Sequence, residues 1–312
     1  MGNKQSTDDS RRSISCVSPA EDEAPYGTDG DEVEGRVTLN RKRSRKDENR
    51  SIRPPPRDLN DYYNMNHNRR GIFIIISNRN VKGLPPRTGA EEEVKQLERI
   101  FEKFNFEVRC MRDLSKSEVL TEMKKVALED HRQCDCFAMA VLTHGDEMDT
   151  LKAKEGTYYT QQLYNMFNSK ACASLQGKPK IFFFNACKGN KDDSVDSPCV
   201  RQVAYNLGNP QFYKKEEIIT SHTYSDFLFG YSTWEGYKSY RHQKEGSLYI
   251  RYLSEELAEG AKRGDDLTTI LTRVTRRLSE KPAMDGNKIL RQTSYYQSSL
   301  TKKVILQPKR QR

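Results

Sequence analysis

Several things are missing from this 312-residue sequence, and each absence narrows what the chain can be. No apolar run approaches the roughly 18 residues that a membrane-spanning helix needs. No apolar h-region opens the chain, so secretion is not expected. Seven cysteines is an odd number, and none of them forms a CxxC pair. That fits free thiols in a reducing compartment better than a disulfide framework. Cys134 and Cys136 lack partners at ligand spacing, so neither a metal nor any other cofactor is expected. No internal repeat is present. The net charge of +9 includes a short basic run, Arg41–Lys46. No folded nucleic-acid-binding motif surrounds it, so nucleic acid is not expected as the main partner.

What is present divides into an N-terminal tail and an ordered body. Residues 1–69 are rich in Ser, Asp, Glu, Arg, Asn and Pro and nearly empty of periodic apolar residues. They are expected to be disordered. At Gly71 the character changes. Ile72–Ile76 is a continuous, β-branched apolar run, as in a strand buried on both faces of a parallel sheet. Thr88-x-x-Glu91 reads as a capping box opening a helix with Val94, Leu97, Phe101 and Phe104 on one face. A strand is expected over Glu107–Met111. Ser115-x-x-Glu118 is a second capping box, before a helix. Cys136–Leu142 and Ile181–Phe184 are further buried strands. After a long polar stretch, Asp226–Thr233 reads as a strand. Helices are expected over Ser247–Ala261 and over Leu267–Leu278, the latter behind Asp265 and Asp266 as cap candidates. Val304–Leu306 is expected to be a short closing strand. This alternation predicts an α/β fold with an open, mostly parallel six-stranded sheet flanked by helices.

In open α/β sheets, reactive groups gather at the carboxyl ends of the strands. One predicted strand runs into Thr143-His144-Gly145. Another runs into Asn185-Ala186-Cys187-Lys188-Gly189. A cysteine and a histidine at adjacent strand ends can meet in space although 43 positions separate them in sequence. The thiolate is then the nucleophile and the imidazole moves the proton. The backbone N–H groups of Gly145 and Cys187 would stabilise the oxyanion. Either residue alone reads more readily as structural; it is the two strand ends together, each followed by glycine, that carry the assignment.

Asn185–Gly189 resembles the active-site pentapeptide of caspases, Gln-Ala-Cys-x-Gly, which likewise has its histidine upstream in a Ser/Thr-His-Gly turn. The resemblance covers residues 71–307. It is supported by Gly177–Lys180, Tyr231–Thr233, Ser239–Arg241 and Leu271–Val274. It implies a cysteine endopeptidase specific for aspartate and acting in apoptosis. Cys187 would be the nucleophile and His144 the base, with the Pro85 carbonyl orienting the imidazole. Arg87 and Arg241 would clamp the substrate carboxylate as paired guanidinium forks. Ser239 and Arg241 would pair with the substrate backbone as an added strand, and Tyr240 would wall the pocket for the next residue. The pocket's usual Gln is Asn185 here, one methylene shorter; that implies a deeper pocket which takes Glu as well as Asp. Lys238 and Leu248 stand where many relatives carry aromatics. A weakly active homologue that regulates an active caspase by heterodimerisation is the competing reading. Metacaspase-like or legumain-like specificity is opposed by the two arginines.

The resemblance also implies a zymogen, cut into subunits and assembled as a homodimer of large/small pairs. The domains are then a prodomain (1–69), a large subunit (70–196), a linker (197–213) and a small subunit (214–312). Asp196 is the expected linker cut, with Asp192 and Asp193 behind it. Asp29 and Glu34 are the expected prodomain cuts. The short prodomain resembles that of executioner caspases. Expected partners are protein substrates, an activating protease (an initiator caspase or a second copy) and inhibitor-of-apoptosis-type proteins. Met1–Ser6 matches the myristoylation pattern at Gly2. One acyl chain plus Arg41–Lys46 would give transient membrane association of an otherwise cytoplasmic proenzyme. The competing reading of the basic run is a nuclear localisation signal.

Overall fold

The computed structural model describes residues 59–192, 223–242, 245–280, 283–285 and 288–309. Gly2, Asp29, Glu34, the Arg41–Lys46 run, Asp193, Asp196 and the 197–213 linker lie outside the described residues. In chain order the elements are β1 (Ile72–Ser77), α1 (Ala90–Lys103), β2 (Glu107–Arg112), α2 (Lys116–Ala127), β3 (Phe137–Leu142), β4 (Gly145–Asp146), β5 (Thr150–Lys152), β6 (Thr157–Tyr159) and α3 (Thr160–Tyr164). There follow β7 (Lys180–Asn185), β8 (Phe227–Tyr231), β9 (Arg241–His242), β10 (Gly246–Ser247), α4 (Leu248–Arg263), α5 (Leu267–Glu280), β11 (Ala283–Asp285), β12 (Lys288–Leu290) and β13 (Tyr295–Ser298).

The main sheet has six strands in the order β13-β8-β7-β3-β1-β2. Its pairs are parallel except β13 against β8, which is antiparallel. Every residue of β1, β3 and β7 is buried. Successive side chains point to opposite faces, so each apolar run feeds two cores. Phe73, Ile75, Ala138, Ala140, Ile181 and Phe183 pack with α1, α4 and α5. Ile72, Ile74, Ile76, Phe137, Met139, Val141, Phe182 and Phe184 pack with α2 and α3 on the other side. Each such Ile or Phe contributes about 1.5–3 kcal/mol by burial.

Three expectations are corrected. Helix α1 is not opened by a Thr88 capping box: its N-cap is Gly89, in the left-handed region with φ 80°, and no side chain caps it. The turn before it carries the buried Arg87, and the Thr88 carbonyl accepts from Arg241 Nε instead. Val304–Leu306 is not a strand. Val304 and Leu306 fill the core beside α4 and α5, and the Val304 carbonyl accepts from Leu267 N. The sixth strand is the more polar β13, a four-residue edge strand with no buried residue, so no apolar run or alternation marks it in the sequence. The disorder expected through residue 69 does not hold from residue 59 onward. Tyr63 is buried and donates to Asp226 Oδ1 at 2.6 Å. Asp135, fully buried, gathers His67, Arg70 and Lys309.

The other caps fall where the sequence puts them. Ser115 and Glu118 form a reciprocal capping box on α2. Ser247 caps α4 through Ile250 N. Asp266 Oδ1 accepts from Thr268 N and Thr269 N at the start of α5.

Candidate active site

The carboxyl ends of β3 and β7 are adjacent, with Leu142 opposite Asn185 in register. The chain beyond them therefore delivers His144 and Cys187 to one place. Both line a cavity of about 190 Å³, together with Arg87, Asn185, Lys238, Ser239, Tyr240 and Arg241. A larger groove of about 1010 Å³ lies between residues 59–71 and 305–309. It holds no cysteine, and its Arg69, Arg70, His67 and Lys309 are paired with Glu107 or Asp135. The chemistry resides in the smaller cavity.

His144 Nε2 lies 3.1 Å from the Pro85 carbonyl oxygen. A carbonyl only accepts, so Nε2 carries the proton and donates, which leaves Nδ1 as the basic nitrogen. Burial, and after it the charges of Arg87 and Arg241, hold the imidazole below its ordinary value, against the opposing pull of the Pro85 carbonyl. Cys187 Sγ accepts from Ser239 N at 3.5 Å. Gly145 comes so near that an added Cβ would sit 2.3 Å from the Cys187 carbonyl oxygen. Only glycine permits that approach, and it brings the backbone of 145 and 187 together. Gly189, at φ 145°, likewise packs on the backbone of Gly236.

Arg87 is 1% exposed. Its Nη2 donates to Glu93 Oε2 at 2.9 Å. Its Nε and Nη1 are buried with no hydrogen-bond partner. Two buried guanidinium donors without partners among the described residues are costly unless an anion arrives. Arg241 lies alongside. Burial, and then the charge of Arg87, push it down to about 10, so at neutral pH the Arg241 guanidinium remains charged.

Asn185 is held by three side chains. Its Nδ2 donates to Ser247 Oγ at 2.9 Å and to Glu93 Oε1 at 3.2 Å, while its Oδ1 accepts from Ser239 Oγ at 3.3 Å. The short amide thus reaches back into a buried network. Glu93 is the hub of that network, accepting from Arg87, Asn185 and Ser247 N.

Of the described residues singled out in the sequence, Arg87, His144, Asn185, Cys187, Ser239, Tyr240 and Arg241 line this cavity, while Pro85 meets His144 and Gly145 meets Cys187 from outside it; the supports had not been singled out. Glu93 had a signal: in the helix it shares a face with Ala90, Val94, Leu97 and Phe101, all buried, so a charge there requires a partner. Gln292, buried behind the lining residues Ser239 and Tyr240, had none. Its Oε1 accepts from Tyr240 N at 2.8 Å and its Nε2 donates to the Ser232 carbonyl at 2.6 Å. Lys188 was visible only as part of the pentapeptide. Its buried ammonium meets Asp149 at 2.7 Å, Glu235 at 2.9 Å and Tyr295 OH at 2.7 Å. It so joins the loop after His144 to the segment around Glu235.

Comparison with known proteins bears on the family and the fold. The family model described as caspase domain matches residues 70–305. Caspase-6 of Mus musculus is 34% identical over 264 residues, covering 81% of this chain and 94% of its own length. Caspase-1 of Drosophila melanogaster is 35% identical over 219 residues, covering 70% of this chain and 65% of that protein. The crystal structure of Caspase-1 from Spodoptera frugiperda superposes with a TM-score of 0.69 at 29% identity, covering 82% of this chain and 99% of that one.

Proposed function

This chain belongs to the caspase family of cysteine peptidases, and from that premise we propose that it cuts intracellular proteins after aspartate during apoptosis. The observation that carries the specificity is Arg87, whose buried Nε and Nη1 lack partners in the cavity that also holds Cys187 and His144. With Arg241 beside it, one carboxylate satisfies both guanidinium groups. The net charge of the two arginines and Glu93 is +1, which one aspartate side chain neutralises.

In the proposed reaction Cys187 Sγ attacks the main-chain carbonyl carbon of the bound aspartate residue, and the thiol proton passes to His144 Nδ1. The Pro85 carbonyl keeps Nε2 protonated, so Nδ1 is the nitrogen able to accept the proton. The N–H groups of Gly145 and Cys187 stabilise the oxyanion. His144 returns the proton to the leaving amine as the C–N bond breaks. Water then attacks the thioester, again with His144 as base, and frees Cys187. No carboxylate is needed to complete the dyad.

The zymogen reading extends this. Cutting after Asp196 separates large and small subunits of a homodimer, and cutting after Asp29 or Glu34 removes the prodomain. Myristoylation of Gly2 would place the uncut protein at a membrane, from which prodomain removal releases it to the cytoplasm.

Turnover of matched fluorogenic peptides ending in Asp, Glu, Asn or Arg, with Cys187→Ala as control, tests the assignment. Cleavage of the Asp peptide that vanishes in the control supports it. No cleavage by dimeric protein cut after Asp196 would instead favour a regulatory homologue.

A further inference from the structure

The contacts of residues 238–241 alternate, as along an extended chain. Ser239 and Arg241 face the arginine pocket: Ser239 Oγ meets Asn185, and Arg241 lies within electrostatic reach of Arg87. Lys238 and Tyr240 meet elsewhere, on a single anion. Lys238 Nζ is 3.0 Å from Asp192 Oδ1, and Tyr240 OH donates to the same oxygen at 3.0 Å. The chain beyond Cys187 delivers Asp192 there by running beside residues 236–238. Lys188 N donates to the Tyr237 carbonyl, Lys191 N to that of Gly236, and Lys238 N to that of Lys191, each at 3.0 Å.

A substrate strand laid along Ser239–Arg241 must alternate with the same period. If its last residue enters the arginine pocket, on the side of Ser239 and Arg241, the residue before it turns toward Lys238 and Tyr240. We propose that Lys238 and Tyr240 form a second acid-binding subsite that takes Asp or Glu immediately before the cleaved residue. The preferred substrate then carries two consecutive acidic residues ahead of the scissile bond. An ammonium and a phenol supply two donors to one carboxylate oxygen, and Asp192 marks where that carboxylate sits. The Lys238–Asp192 pair is 40% and 30% exposed, and exposed pairs of this kind are weak. An incoming peptide carboxylate therefore competes with Asp192 for the two donors. The inference deepens the protease reading and rests on it.

The test uses the full chain and peptides that end in Asp, with Asp, Glu, Asn, Val or Lys before it. The expected kcat/KM for Asp and Glu exceeds that for Asn about three- to fivefold, the range of a half-exposed charge pair. The preference shrinks at roughly 1 M salt, where charges are screened within a few ångströms. Lys238→Gln brings the ratio to about one, and Lys238→Glu turns it in favour of Lys. Equal or faster cleavage of the Asn and Val peptides by the wild type, or an acidic preference that persists in Lys238→Gln, overturns the subsite while leaving the protease reading intact. Failure to cleave any Asp peptide, with Cys187→Ala behaving identically, overturns the protease reading and this inference with it.

Discussion

Arg87 and Glu93 form an ion pair, Nη2 to Oε2 at 2.9 Å, in which the two side chains are 1% and 0% exposed. Glu93 takes one edge of the guanidinium and leaves Nε and Nη1 for a ligand. The pair therefore aims Arg87 as well as neutralising part of its charge.

Removing Glu93 strands a buried guanidinium. Glu93→Ala is expected to destabilise the fold by about 3–5 kcal/mol, the usual result of breaking a buried pair. Glu93→Gln keeps an oxygen for Asn185 and Ser247 but loses the charge, and is expected to fold better than the alanine variant. Its KM for an Asp peptide rises more than its kcat falls, because Arg87 is misaimed while Cys187 and His144 are untouched. Urea denaturation and steady-state kinetics measure the two effects separately.

Asn185 is one methylene shorter than the Gln its family uses, and its Nδ2 is turned to Glu93 and Ser247. The expected consequence is room for a longer acid. In Asn185→Gln the ratio of kcat/KM for Asp over Glu peptides should rise by about tenfold, the usual worth of a methylene in a shaped pocket. An unchanged ratio would mean that Asn185 does not set the depth of the pocket.

The pH profile follows from His144. Its imidazole is held below the ordinary 6.5, chiefly by burial and then by Arg87 and Arg241. A lowered value keeps the imidazole neutral, and so able to accept a proton, to more acidic pH. The acid limb of kcat/KM should therefore fall below 6.5. A bound aspartate cancels part of the arginine charge, so the acid limb of kcat should lie above that of kcat/KM. Full pH–rate profiles of both parameters test the order.

Stability should carry its own pH dependence, from His131. This side chain is fully buried, with Nε2 on the Val126 carbonyl at 2.9 Å and Nδ1 without a partner. Burial lowers its affinity for a second proton in the folded state. The unfolded chain takes up that proton near 6.5 and the folded chain does not. The contribution is thus fully present above the unfolded value and is lost as pH falls toward the folded one. Thermal melts from about pH 7.5 to about pH 5 should show a falling Tm, and His131→Leu should fall less steeply over that range.

Much of this protein was legible in the sequence because its signals are local. The runs at 72–76, 136–142 and 181–184 are buried on both faces, so they are apolar throughout and stand out whatever they pack against. Ser115, Ser247 and Asp266 cap helices through contacts within three residues. His144 and Cys187 follow strand ends that topology makes adjacent. What the tertiary structure decided lies across the chain. The partners of Glu93 come from the segment before α1, the end of β7 and the start of α4. Gln292 reaches Tyr240 across 52 positions, and Asp192 meets Lys238 only because two loops pair. Such contacts depend on backbone placement, which residue type and spacing do not encode locally. The same holds at 295–298 and 304–306, where the polar segment became the edge strand and the apolar one filled the core. An edge strand needs only one covered face, whereas Val304 and Leu306 are buried in the core without any strand partner.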